Sequence, residues 1–155
     1  MSNTAAALDH ARSTTTSTLR VRFCETDLMG IVHHATYLVY FETGRVEWLR
    51  RRGITYADWT ARGVQVPVAT AEVQYRSPSR FDDLLTIETT LTRVRSVSLD
   101  FRYRIVREET LVAEGSTRLA CIDAAGKLLR IPDEIRDALL AAELPAAPGS
   151  PQPAA

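Results

Sequence analysis

The chain has 155 residues, 45% hydrophobic and 25% charged, values ordinary for a globular protein and sufficient for one domain with a sizeable core. Nineteen basic residues balance nineteen acidic ones, so no global field draws the chain to nucleic acid or to an anionic membrane surface. No apolar run approaches the roughly 18 residues of a membrane span, so no membrane insertion is expected.

Residues 1–17 are small, polar and aperiodic and read as a flexible leader without the apolar core of a secretory signal. From Thr18 to Cys24 the alternation of LRVRF predicts a strand. Asp27 and Gly30 stand at the first and fourth positions of a type I turn. Tyr37, Leu38, Phe41, Val46, Trp48 and Leu49 then recur at three- and four-residue spacings, which predicts an amphipathic helix ending before Gly53. Thr36 or a neighbour would cap its start, and Arg50, Arg51 and Arg52 suit the negative end of its dipole.

Four strand-like stretches follow: GVQVPVATAEVQY, DLLTIETTLTRV, VSLDFRYRIV and LVAEGSTRLACI. Turn signals separate them at Ser77-Pro78, around Ser96 and at Glu108-Glu109. In the third stretch Val97, Leu99, Phe101, Tyr103 and Ile105 share one face. KLLRI suggests a short last strand, and a helix is expected from Pro132 to about Ala142. Residues 143–155 hold four prolines in thirteen positions and read as a disordered tail, which leaves 18–142 as the folded domain. The expected class is α+β: one long helix on an antiparallel sheet of five to six strands. Cys24 and Cys121 make neither a C-x-x-C pair nor a disulfide framework, and both read as buried free thiols in a reducing, cytoplasmic setting.

No G-x-S-x-G elbow, Walker loop or G-x-G-x-x-G is present. Adjacent His33 and His34 cannot both reach one metal from a helix, where zinc pairs prefer i, i+4 spacing, so no metal site is expected. Asp27 has two readings, as an ordinary turn residue and as a reactive carboxylate. The second draws on the helix that follows. A helix entrance offers unpaired N–H groups and a positive partial charge, which can stabilise an oxygen that becomes negative. A carboxylate there can act as base or nucleophile, and His34 can assist a proton transfer.

The run F-x-E-T-D-x-M-G-I-V-H-H-A-x-Y-L-x-Y-F-E-x-G-R-x-E-W-L-R resembles the signature of the 4-hydroxybenzoyl-CoA thioesterase-like branch of hotdog-fold proteins. It is most similar to bacterial acyl-CoA thioesterases, including those associated with the Tol-Pal system. Residues 75–85, Y-R-S-P-S-R-F-D-D-L-L, match the same pattern.

The resemblance implies a hotdog fold, a long helix wrapped by an antiparallel sheet, in a homodimer or homotetramer with active sites at the subunit interface. It implies hydrolysis of an acyl-CoA to a carboxylic acid and free coenzyme A, with no cofactor beyond the coenzyme A of the substrate. Asp27 matches the family's catalytic Asp, and His34 the assisting histidine. The amides of Ile31, Val32 and His33, and that of His34, would polarise the thioester carbonyl. Tyr37 matches a tyrosine near the pocket, and position 33, often aromatic in that family, is His here. Arg76, Ser77 and Arg80, beside the Pro78 turn, could meet the phosphates of coenzyme A, since guanidinium binds phosphate bidentately. Two alternatives stand beside this reading: a thioesterase acting on an acyl carrier protein, and a non-hydrolytic module that binds acyl thioesters.

Overall fold

The structure, a computed structural model, describes residues 13–144. Its elements are β1 (Thr14–Arg20), a 3-10 turn (Phe23–Glu25), α1 (Thr36–Arg50), α2 (Tyr56–Ala61), β2 (Val68–Tyr75), β3 (Leu84–Val94), β4 (Ser98–Arg107), β5 (Thr110–Ala120) and α3 (Asp133–Leu140). The strands form one antiparallel sheet in the order β1-β3-β4-β5-β2. The expected architecture is therefore present, with five strands. β2 is an edge strand, and seven of its eight residues are exposed.

Packing of α1 on the sheet makes the core. The Phe41 ring stacks on Tyr103 with centroids 4.3 Å apart, and Trp48 meets Phe101 edge-on at 5.4 Å. Leu85, Ile87, Leu91 and Ile105 are wholly buried beneath them. Two glycines permit this close approach. A Cβ on Gly44 would lie 2.4 Å from Thr89 Oγ1, and one on Gly115 would lie 2.2 Å from Glu72 O and 2.7 Å from Phe41 Cε2. The alternation expected in β4 is observed, with Leu99, Phe101, Tyr103 and Ile105 buried and Arg102 and Arg104 exposed. The outer face is laced by Arg104–Glu88 and Arg118–Asp100 ion pairs, both 2.7 Å.

Several local expectations are corrected. β1 begins at Thr14 rather than Thr18 and ends at Arg20, so part of the expected leader is sheet. Thr14 to Thr18 pair with Thr90 to Thr86, because β-branched threonines suit a strand even without apolar alternation. The rest of the leader, and the tail beyond Leu144, lie outside the described residues. Residues 21–24 leave the sheet, so Cys24 sits on the 3-10 turn and is exposed, whereas Cys121 is buried as expected. KLLRI forms no strand. Asp123 Oδ1 instead accepts the N–H groups of Ala125 and Lys127, and only a single bridge joins Ile122 to Leu128.

α2 was not anticipated, although Thr55 caps it by accepting the Asp58 N–H at 3.1 Å. The N-cap of α1 is Ala35, without a side-chain cap, and Thr36 is its first residue. Arg52 is not a surface charge. It is buried, lies 3.6 Å over the Trp48 ring and donates to Thr15 Oγ1. Arg45 is buried too, donating to Tyr56 Oη and Tyr103 Oη, with the Glu42 carboxylate 4.0 Å away.

Candidate active site

Between β1 and α1 the chain folds back on itself. His33 N–H donates to Glu25 O, Asp27 N–H to Ile31 O, and Thr26 bridges Val32. The tip is the expected turn: Gly30 N–H donates to Asp27 O at 2.9 Å, and Gly30 adopts φ +73°, where a side chain would be strained. Asp27 also closes the turn with its side chain, Oδ1 accepting the Met29 N–H at 2.8 Å. One carboxylate oxygen is thereby held. Among the described residues, Oδ2 has no hydrogen-bond partner. Both readings of Asp27 are thus compatible, since the turn orients the carboxylate and leaves one oxygen available.

The helix entrance corrects the list of candidate amide donors. Val32 N–H donates to Ser79 O at 2.8 Å and His33 N–H to Glu25 O at 2.9 Å, so neither is free to meet a substrate. Ile31 N–H and His34 N–H meet no acceptor among the described residues. Peptide geometry around His34 is fixed on both sides. Tyr75 Oη, from the end of β2, donates to His34 O at 2.9 Å, and Ala35 N–H donates to His33 Nδ1 at 3.1 Å. His33 O accepts the Thr36 N–H. His34 N–H is thus held in place by its neighbours and left unengaged, as is Ile31 N–H.

The imidazoles of His33 and His34 lie against each other, centroids 4.1 Å apart, and both residues are exposed. No hydrogen bond joins either ring to Asp27. Tyr37 is buried, its hydroxyl 3.2 Å from Ser79 Oγ and its ring edge-on to Tyr40 and Tyr75. Burial pushes its phenol above the usual range. Tyr37 is thus packed behind the hairpin rather than facing solvent.

Arg76, Ser77 and Arg80 do not form one patch. Arg76 pairs with Glu114 of β5 at 2.7 Å. Ser77 is half-buried and donates its N–H to Val112 O. Arg80 alone reaches the turn, with Nη1 3.3 Å from Gly30 O. Sequence reasoning missed four residues that build the site: Glu25, Tyr40, Tyr75 and Ser79. Ser79, wholly buried, bonds the turn through its carbonyl and Tyr37 through its hydroxyl. A loop serine gives no sign of this in the sequence. Glu25 did carry a sign, since Arg22 stands three residues before it.

Around the turn, Phe23, Leu28, Met29 and Phe81 are exposed. No helix among the described residues is long and apolar enough to cross a membrane.

Comparison with known proteins adds a family. The model described as the thioesterase-like superfamily matches residues 21–139. The chain is 38% identical over 106 residues to the Escherichia coli protein named acyl-CoA thioester hydrolase YbgC, covering 68% of this chain and 79% of that one. A Thermus thermophilus crystal structure is similar with TM-score 0.76 and 43% identity, covering 80% of this chain and 95% of that one. The DHNA-CoA thioesterase of Staphylococcus aureus is similar with TM-score 0.76 and 27% identity, covering 80% and 85%.

Proposed function

The chain belongs to the thioesterase-like superfamily and is a thioester hydrolase of the hotdog fold, and from that premise we propose a division of labour at the 25–34 hairpin. The reaction is hydrolysis of an acyl-CoA: water adds to the thioester carbonyl carbon, the C–S bond breaks, and a carboxylic acid and the thiol of coenzyme A are released. Asp27 Oδ2 is the base that takes the proton of water or the nucleophile that attacks the carbonyl. Base catalysis delivers hydroxide directly. Nucleophilic attack passes through a mixed anhydride that water then cleaves. His34 N–H, at the positive end of α1, donates to the carbonyl oxygen as it becomes negative, and the His34 imidazole assists proton transfer.

One observation carries this reading. A single short hairpin presents a carboxylate oriented by the Met29 N–H and an unengaged amide at a helix entrance. Such preorganised donors cost no rearrangement when charge develops. No hydrogen bond joins Asp27 to His34 within one chain, so in this reading the substrate bridges them. The exposed edge of β2, together with Leu28 and Met29 beside the turn, supports a homo-oligomer in which a second copy completes the pocket. Arg80, already at the turn, is the best placed of the three candidate coenzyme A contacts.

The test is thiol release from a panel of aliphatic and aromatic acyl-CoA thioesters and acyl carrier protein thioesters. Turnover of acyl-CoA supports the reading. Turnover confined to carrier-bound acyl groups would move the substrate to a carrier protein, and binding without release of thiol would identify a non-hydrolytic module.

A further inference from the structure

The most heavily bonded acidic group near the hairpin is not Asp27. Glu25 is 9% exposed, and its carboxylate accepts four hydrogen bonds. Arg22 donates its backbone N–H to Oε2 at 2.8 Å, and its Nε and Nη2 to Oε1 at 2.9 and 2.8 Å. Tyr40 Oη donates to Oε2 at 2.8 Å. The backbone carbonyl of the same residue accepts the His33 N–H. Glu25 therefore grips three pieces of chain: the stretch after β1 through Arg22, the body of α1 through Tyr40, and the last residue before His34 through its carbonyl.

These contacts bracket the proposed chemistry. Asp27 lies two residues beyond Glu25, and His34 follows the residue whose amide Glu25 holds. Tyr40 sits in the second turn of α1 and is buried, its ring edge-on to Tyr37. A carboxylate fixed to Tyr40 thus sets where the hairpin stands relative to the helix that orients His34 N–H. Carboxylate–phenol and carboxylate–guanidinium bonds are charge-assisted and stronger than neutral ones, which suits a joint that must hold position. The guanidinium of Arg22 is largely exposed and satisfies Oε1, so Oε2 is left for the backbone and Tyr40.

Resting on the reading of Asp27 and His34 above, we propose that Glu25 is a positioning residue: through Tyr40 Oη and the His33 amide it fixes the separation between the Asp27 carboxylate and the His34 N–H. It touches no substrate, and acts by holding those that do. The expected signature is a loss in kcat with little change in KM, since misplacement by about 1 Å weakens the transition state far more than binding.

The experiment compares Tyr40→Phe, Glu25→Gln and their double variant with the parent and Asp27→Asn. It measures acyl-CoA hydrolysis and amide hydrogen exchange along the chain. Tyr40→Phe should lower kcat about tenfold at nearly constant KM and speed exchange in residues 26–34, while the β3–β4 amides stay protected. Because Tyr40 acts on the hairpin through its one bond to Glu25, adding Tyr40→Phe to Glu25→Gln should cost less than the two single losses combined. Unchanged kcat in Tyr40→Phe, additive losses, or exchange that rises evenly across the sheet would each overturn the proposal, the last showing a merely structural role. Full activity in Asp27→Asn would refute the catalytic reading instead. In that case the exchange arm decides alone: selective loosening of 26–34 upholds the anchoring by Glu25, and unchanged protection overturns it.

Discussion

Substituting Gly115 by Ala tests the packing that seats the helix and, through it, the site. The added Cβ would stand 2.2 Å from Glu72 O and 2.7 and 2.9 Å from Phe41 Cε2 and Cζ. An ordinary C···O contact is about 3.3 Å, so the β2 backbone or the β5 backbone must yield by roughly 1 Å. Neither neighbour moves freely: Glu72 O belongs to the β2–β5 ladder, and the Phe41 ring is stacked on Tyr103. Overpacking of this kind costs about 1–3 kcal/mol, and two rigid neighbours place it toward the upper end. For a domain of this size that lowers Tm by roughly 10 °C, measured by circular dichroism against Ser116→Ala, an exposed neighbour expected to be near neutral. Displacing β2 also displaces Tyr75, whose hydroxyl holds His34 O, so kcat should fall with stability. A Gly115→Ala protein melting within about 2 °C of the parent would show that the clash relaxes without moving the sheet.

Further expectations follow from the same geometry. His34→Ala removes the imidazole but keeps the backbone N–H, so kcat should fall by roughly tenfold, well short of the loss for Asp27→Asn. An equal loss in both variants would make the ring, not the amide, the main contribution of this residue. Acid sensitivity should depend on Glu25. Burial alone would raise its pKa, but hydrogen bonds from the Arg22 N–H, Tyr40 and the Arg22 side chain outweigh that and hold it below the usual carboxylate range. A folded pKa below the unfolded one means stability that is fully present above the unfolded value and is lost as pH falls through the folded one. The drop in Tm on acidification should therefore be shallower in Glu25→Gln, and an identical profile would contradict the assignment. A thiol reagent should modify Cys24 and spare Cys121, whose thiol is buried and raised above its ordinary pKa by that burial. Two reactive thiols per native chain would contradict the burial of Cys121.

Much of the fold was legible because its elements carry strong periodicity. The β4 alternation is a direct print of a sheet face on the core; the spacing along α1 marks the helix and its Tyr37, Phe41, Trp48 and Leu49 contacts, but Leu38 is exposed and Val46 half-buried, and Tyr40 and Arg45 are buried on that face instead. What escaped the sequence has a physical cause in each case. Thr14 to Thr18 form a strand through pairing with β3, not through any apolar pattern of their own. Arg45 and Arg52 look like surface charges, yet each is buried by aromatic neighbours that supply phenol oxygens or a ring face. At the site, Asp27 and the turn were readable from D-x-x-G, since a turn is local. Which amides stay free was not, because Val32 is engaged by Ser79, which lies 47 positions later in the chain. Arg76 could not be told from Arg80 for the same reason: its partner Glu114 is remote in sequence and adjacent only across the β2–β5 pair.

Whether the Asp27 carboxylate performs the chemistry is decided by Asp27→Asn. Asparagine keeps an oxygen to accept the Met29 N–H, so the turn and the fold should survive, with Tm close to that of the parent. The substitution removes only the basicity and nucleophilicity of the second oxygen. Steady-state hydrolysis of the best acyl-CoA from the panel should then fall by at least about 100-fold in kcat, with KM little changed. A natively folded Asp27→Asn protein that turns over at the parental rate would contradict the account.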